Sequence, residues 1–282
     1  MNRNIGTLFV VATPIGNLDD MVPRAVDVLQ SVDIIAAEDT RRTGQLCSHF
    51  GIRTTMVACH DHNEESQVKK LMDKLGDGKN IALVSDAGMP LISDPGYRIV
   101  RAARQEQYDV SVVPGACAAI TALAGSGLPS DRFQFLGFPA AKKSARQKWL
   151  SEYSQNTETR IFYESSHRIL ETLKDIEQVF DPDRQIVVDR ELTKTYETWL
   201  NGEVSTVRAM VEVDPNQQKG EFVIVVQGVS EKQSASDVEI AKTMRVLLKE
   251  LPIKKAAAMA AELLGVKKNE CYDIGLITKE QG

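Results

Sequence analysis

Twelve residues, Ser85-Asp86-Ala87-Gly88-Met89-Pro90-Leu91-Ile92-Ser93-Asp94-Pro95-Gly96, hold two Ser-Asp pairs, two glycines and two prolines. Regular structure does not tolerate that mixture. Glycine permits unusual backbone angles and close approach. Proline stiffens a turn and removes a donor, and Ser and Asp bond back to the main chain. An ordinary strand-to-helix connection needs about two to six residues. This one follows the apolar run Ile81–Val84 and precedes a helical pattern over Tyr97–Gln107. A long polar loop at the carboxyl end of a strand is where open α/β sheets hold ligands.

Other residue types narrow the chemistry. The chain has no complete G-x-G-x-x-G, no Walker A lysine motif and no serine in a nucleophile elbow, which disfavours dinucleotide, nucleoside-triphosphate and triad chemistry. His60-x-His62, beside Asp61 and Glu64, would share a face in an extended segment. No third metal ligand is evident, so solvated loop polars are the reading and no metal is expected. Asp86, Ala87, Gly88, Pro114, Gly115 and Ala116 offer little side-chain chemistry but let main-chain groups touch a bulky polar ligand. That suits a nucleoside-bearing cofactor.

The elements that must position these loops read as an alternation. Apolar runs at Thr7–Thr13, Val32–Ala37, Thr54–Ala58, Ile81–Val84 and Val110–Val113 alternate with helical patterns, which predicts a mainly parallel sheet with right-handed crossovers over residues 1–127. The pattern resets near Leu128. Strands at Phe135–Phe138, Arg160–Tyr163, Gln185–Asp189, Tyr196–Leu200 and Phe222–Val226, some joined by short turns, predict a second α/β domain over 128–228 with a mixed sheet. A polar linker and three short helices (Asp237–Glu250, Ile253–Leu264, Lys268–Tyr272) form a helix-turn-helix-like module over 229–282, with Ser236 and Glu239 as a capping box. The fold class is α/β, two such domains and a small helical tail.

Composition bounds the rest. With 43% hydrophobic and 26% charged residues the chain is an ordinary globular protein, and its net charge of −5 argues against a uniformly basic nucleic-acid binder without excluding a local basic patch. Cys47, Cys59, Cys117 and Cys271 are scattered and fit free thiols in a reducing cytoplasm. No run approaches a membrane span, and the amino terminus does not read as a signal peptide.

The exit loops TPIGNLDD (from Thr13), AAEDTRRT (from Ala36), HDHNE (from His60), SDAGMPLISDPG (from Ser85), VVPGACAA (from Val112), GFPA (from Gly137), FYESSHR (from Phe162) and DRELTKTYE (from Asp189) carry a resemblance. Together they resemble the tetrapyrrole methylase-like, or class III, methyltransferases, in the branch acting on small-subunit ribosomal RNA. The likeness runs in order over about residues 7–228, and the tail is similar to that branch's appended helices. The resemblance implies two α/β domains with S-adenosylmethionine in the cleft between them, a homodimer, and 2'-O-methylation of a cytidine ribose in 16S rRNA. It implies cofactor contacts at Pro14, Ser85, Asp86, Ala87, Gly88, Ile92, Ala116, Phe162, Tyr163 and Glu164, with Gly220 and Glu221 as further candidates. A ribose hydroxyl is a poor nucleophile, so a base is expected; Glu191, Lys194, Glu164 and His62 are the candidates. Lys194 could serve only with a depressed pKa. Arg41, Arg42, Lys142, Lys143, Arg146 and Lys148 are the candidate RNA contacts, although the last four could equally be a solvated helix face.

Three other readings compete. The same fold could methylate a tetrapyrrole carbon or a modified histidine in a protein, against which the EDTR and SDAG loops argue. The chain could be a ribosome-assembly factor that no longer catalyses, against which the intact loops argue. A nucleotide-sugar or NAD enzyme lacks its phosphate fingerprint.

Overall fold

A computed structural model describes residues 5–61, 63–181, 183–229 and 237–280. His62 and the expected N-cap Ser236 lie outside the described residues. In the first half strands alternate with α-helices: β1 (Thr7–Val11), α1 (Pro23–Ser31), β2 (Ile34–Ala37), α2 (Thr40–His49), β3 (Thr55–Ala58), α3 (Glu64–Gly76), β4 (Ile81–Val84), α4 (Tyr97–Gln105), β5 (Asp109–Val113) and α5 (Ala118–Ser126). The five strands form one parallel sheet in the order β3-β2-β4-β1-β5. β2 and β4 are buried at every position, which is why both read as continuous apolar runs.

That strand order decides where the site falls. The β1–β2 connection steps over β4, and the β4–β5 connection steps over β1. The exit loops of β1 and β4 therefore leave the sheet side by side, at the point where the winding reverses, with the exit loop of β5 next to them. One helix was not anticipated. The EDTRRT segment opens α2, with Asp39 as N-cap accepting a hydrogen bond from the Arg41 N–H. Its polar sequence and internal Gly44 masked the pattern.

The second half contains β6 (Phe133–Phe135), α6 (Lys143–Tyr153), β7 (Thr159–Ser165), α7 (Ile169–Val179), β8 (Gln185–Arg190), β9 (Thr198–Glu203), α8 (Val204–Val213) and β10 (Glu221–Val226). Its sheet, β6-β7-β10-β8-β9, is mixed: β6 runs parallel to β7 and every other pair is antiparallel. β6 lies earlier in the chain than Phe135–Phe138. Pairing ends at Gly137, whose φ of 67° turns the chain and sends Phe138 outward. One face of this sheet packs Phe162, Ile186, Val188, Phe222 and Ile224 against α6, α7 and α8. The other face packs Ile161, Val187, Val223 and Val225 against Ala119, Ala122 and Leu123 of α5. Helix α5 thus joins the two α/β halves, and each fully buried aliphatic side chain there contributes about 1.5–3 kcal/mol.

Two arrangements of buried ionisable groups mark the second half. Arg146 on α6 and Asp175 on α7 are each 1% exposed and pair at 2.7 Å; Gln147 also donates to Asp175, and Arg146 donates to the Ala141 carbonyl. Asp189 on β8 is 0% exposed, and neither carboxyl oxygen has a hydrogen-bond partner. Burial, with a smaller push from Glu197, raises its pKa to about 7. The folded state therefore holds a proton there that the unfolded chain releases near pH 4. Stability drawn from this group falls as pH rises from about 4 to about 7, by at most ~4 kcal/mol at 1.36 kcal/mol per pKa unit. Urea unfolding of Asp189→Asn is expected to lack that part of the pH slope. A variant with the wild-type slope would mean that the carboxyl is ionised when folded.

The chain divides into two compact units, residues 1–154 with 158–227, and residues 155–157 with 228–282. Both α/β halves fall in the first. The second holds α9 (Asp237–Leu247), α10 (Ile253–Leu264) and α11 (Lys268–Glu280) around Ile240, Met244, Ala256, Ala257, Ala260 and Cys271. Gly265 closes α10 in the left-handed conformation. α11 is thirteen residues long and runs well past Tyr272. Its buried positions include Gly275 and Thr278, residue types that leave no apolar stripe to read. Among the described residues no helix is long and apolar enough to cross a membrane.

Candidate active site

Three loops of the first half meet at Gly88. Its N–H donates to the Thr13 carbonyl at 3.0 Å, and Thr13 N–H donates back at 2.9 Å. A Cβ on Gly88 would lie 3.0 Å from Ile15 Cγ2 and 3.4 Å from the Ala116 carbonyl. Pro14, Gly88 and Ala116 are thus brought together as the loop chemistry requires. The loop Glu191–Lys194 crosses from the second half: Thr193 Oγ1 accepts from Asn17 N–H at 3.2 Å, and Gly16 leaves the room that Lys194 Cγ fills. Among the described residues five non-glycine residues have left-handed backbone, and four lie in these loops: Leu91, Ser93, Glu191 and Thr193. Such conformations cost of order 1–3 kcal/mol each and concentrate at functional sites.

Two adjoining cavities open here. The first, about 480 Å³, is lined by Thr13, Pro14, Ser85, Asp86 and Ala87 on one side, Arg42 and Thr43 on another, and Lys194 and Glu221 opposite. The second, about 420 Å³, has an apolar wall of Ile15, Ile92, Phe138, Tyr163 and Leu192, with Asp94, Gly220 and Glu221 at its edge. Ala87, Ile15, Lys194 and Glu221 border both. The buried hydroxyls of Thr13 and Thr43 find no protein partner. Among the described residues no three His, Cys, Asp or Glu could hold a metal ion.

Charge is organised around the β4 exit. Asp86 accepts from Asp39 N–H at 2.9 Å and lies 3.4 Å from Arg42, while its own N–H donates to Glu38. Burial pushes the Glu38 pKa up, and the nearby Asp86 charge adds to this. Across the cleft, Lys194 Nζ bridges Glu191 at 2.9 Å and Glu221 at 2.7 Å. Burial alone would lower the Lys194 pKa, but the two carboxylates outweigh it and hold the group above its ordinary value. Burial would likewise raise Glu191, yet Lys194 and the Glu221 N–H keep it low. Gly220, at φ 94°, is required beside them: a Cβ there would lie 2.4 Å from the Glu191 carboxylate.

Several expected roles change. Lys194 is held protonated, which removes it as a base. Glu164 lines the second cavity, but its carboxylate turns toward α7 with its side chain 0% exposed. It accepts from Arg168, from Ser165 N–H at 2.8 Å and from Thr172 at 2.6 Å, and these bonds hold it turned away from the cleft. Phe162, expected against the cofactor, alternates with Tyr163 along β7 and points into the helix-covered core beside Trp149. Arg146 is locked in its buried pair and cannot reach RNA phosphates. Lys142, Lys143 and Lys148 are exposed. Arg41 is exposed but paired with Asp39 at 2.7 Å, and Arg42 lines the first cavity. Sequence reasoning missed Thr13, Thr43, Ile15, Phe138, Leu192 and Asp94 as cleft residues. All six lie in the exit loops the sequence singles out, and Asp94 stands in the second Ser-Asp pair of its loop.

A family model of tetrapyrrole (corrin/porphyrin) methylases matches residues 7–208. The fold agrees with the crystal structure of the methyltransferase CobJ at a TM-score of 0.59, with 16% identity over 79% of this chain and 95% of that one. The chain belongs to the tetrapyrrole methylase family. Within it, this chain is 50% identical to the ribosomal RNA small subunit methyltransferase I of Escherichia coli O157:H7, over 98% of this chain and 96% of that protein. To the protein of the same name from Pasteurella multocida it is 48% identical, over 98% and 99% respectively. A second model, of the RsmI C-terminal HTH domain, matches residues 234–279.

Proposed function

We propose that this protein methylates the 2'-hydroxyl of a cytidine ribose in 16S rRNA of the small ribosomal subunit, with S-adenosylmethionine as donor. The observation that carries the reading is the paired cavity at Gly88, one chamber apolar and one polar, walled by loops from both α/β halves. The names of relatives about half identical over nearly the whole chain support the RNA substrate.

The residues fit the cofactor. Ile15, Ile92, Phe138, Tyr163 and Leu192 make a slot for an adenine, the orphaned Thr13 and Thr43 hydroxyls await polar groups, and Gly88 and Gly220 keep main chain open where a Cβ would intrude. Asp86 and Glu38 supply negative potential suited to a cationic donor. When bound, S-adenosylmethionine supplies an activated methyl on a sulfonium leaving group. The protein then has to hold the hydroxyl in line, exclude water and take up a proton. Alignment of this kind can lower a barrier by about 7–11 kcal/mol.

RNA lies across the mouths of both chambers, which adjoin along Ile15, Ala87, Lys194 and Glu221. Arg42 at its wall, and the exposed Lys142, Lys143 and Lys148, are the phosphate contacts in this reading. Removing three phosphate contacts reduces the slope of log affinity against log salt by about 2–3. The triple variant Lys142→Ala, Lys143→Ala, Lys148→Ala is expected to show that reduction in filter binding to small subunits, with cofactor affinity unchanged. An unchanged slope would remove α6 from the interface.

The reading itself is tested by methyl transfer from labelled cofactor to small subunits taken from cells lacking the protein. Label in RNA supports it; label in protein alone, or none with cofactor bound, contradicts it.

A further inference from the structure

Transfer to a ribose hydroxyl needs a group to receive its proton, and the cleft holds few that can. Arg42 and Lys194 are cations. Glu164 is buried and paired with Arg168, and Glu191 and Glu221 share Lys194. Asp86 accepts from Asp39 N–H and faces Arg42. The Tyr163 hydroxyl accepts from Ala119 N–H, and burial pushes its pKa up. One carboxyl is left. Asp94 borders the second cavity, half-buried beside Ser93 and Ile92, and among the described residues no Lys, Arg or His pairs with it; the Ser85 hydroxyl, which donates to the Ala87 carbonyl at 3.2 Å, lies beside it.

Resting on the function proposed above, we propose that Asp94 is the catalytic base that takes the proton from the substrate hydroxyl during methyl transfer. The O–H bond breaks as the new O–CH3 bond forms and the S–CH3 bond breaks. The proton goes to the Asp94 carboxylate, and the sulfonium charge is lost as the neutral sulfide leaves. Charge is conserved, and no further reactant is needed.

The surroundings suit this task. The charges that act most on Asp94 are acidic: Glu38 beyond β2, Asp61 beyond β3 and Asp86 in its own loop, with neutral Ser85 and Tyr163 beside it; Lys194 borders the same cavity but is held between Glu191 and Glu221. Burial first, then these carboxylates, raise Asp94 to about 7. A base is most effective when its pKa lies near the working pH. A carboxyl neutralised by a nearby cation would be too weak a base. The left-handed backbone at Leu91 and Ser93 fixes the loop that aims it.

The test uses the full chain, small ribosomal subunits as substrate and nucleoside analysis of the product. Wild-type single-turnover rate is expected to rise with pH and level off above an apparent pKa near 7. Asp94→Asn is expected to lose about 10²–10⁴-fold in rate and the pH dependence with it, while binding S-adenosylmethionine within threefold of wild type, which also shows that it is folded. Asp94→Glu, which keeps a carboxyl, is expected to recover part of the rate. Asp94→Asn activity within tenfold of wild type overturns the proposal. So does a fall in cofactor affinity large enough to explain the loss, since Asp94 would then be a cofactor ligand. Absence of ribose methylation by the wild type is a different failure and removes the functional reading instead.

Discussion

Replacing Arg146 with alanine is expected to cost about 3–5 kcal/mol of folding stability and to leave the salt dependence of RNA binding untouched. The side chain lies between α6 and α7 in contact with an equally buried Asp175. Removing the cation strands a carboxylate that keeps only the Gln147 amide. A loss of that size in a domain whose whole stability is of order 5–15 kcal/mol shows directly in urea unfolding. The double variant Arg146→Met, Asp175→Leu is expected to recover most of it, because replacing both charges removes the desolvation penalty along with the attraction. If Arg146→Ala instead flattened the salt slope at unchanged stability, the guanidinium would belong to the RNA surface.

Gly88→Val is expected to weaken S-adenosylmethionine binding by about 100-fold, some 2.8 kcal/mol at 1.4 kcal/mol per decade. The residue sits at φ 76°, where a side chain costs about 1–2 kcal/mol, and the added carbons would press on Ile15 and the Ala116 carbonyl. Three loops that frame the cleft would move apart together. Gly51→Val is the control. Gly51 has a similar φ of 67°, but a Cβ there meets nothing within 4 Å. It is expected to lose stability and keep cofactor affinity. Equal affinity in both variants, measured by calorimetry, would mean that the Gly88 junction does not shape the cofactor site.

The sheet of the first half was legible because its central strands are buried on both faces. Ile81–Val84 is uninterrupted apolar sequence with the same bounds in the structure. Gly and Pro marked the loops at the carboxyl ends of the strands for the same local reason. Helix α2 was hidden because its amphipathic face is short and its start lies inside a motif rich in charge. The length of α11 was hidden because Gly275 and Thr278 do the packing that a larger apolar residue usually does.

The roles of charged residues were the least legible part. Lys142, Lys143, Arg146 and Lys148 look alike in sequence, and only helical phase against α7 separates the buried one from three exposed ones. Glu164, Glu191 and Asp94 are all carboxylates in cleft loops. What distinguishes them is the partner each finds: Arg168 for Glu164, Lys194 for Glu191, and no cation for Asp94. Both partners lie only three or four residues along the chain, across a turn, but these segments are not helical and have no period that would mark the pairs as facing each other. Proton affinity in this cleft is thus set by whether each turn brings a cation onto its carboxylate.

The measurement that bears most directly on the account is complete nucleoside digestion of small-subunit RNA labelled by this protein with S-adenosylmethionine, followed by mass analysis. The expected result is label in 2'-O-methylcytidine, with the methyl on the ribose fragment. Label on a base fragment, or in a nucleoside other than cytidine, would contradict the account.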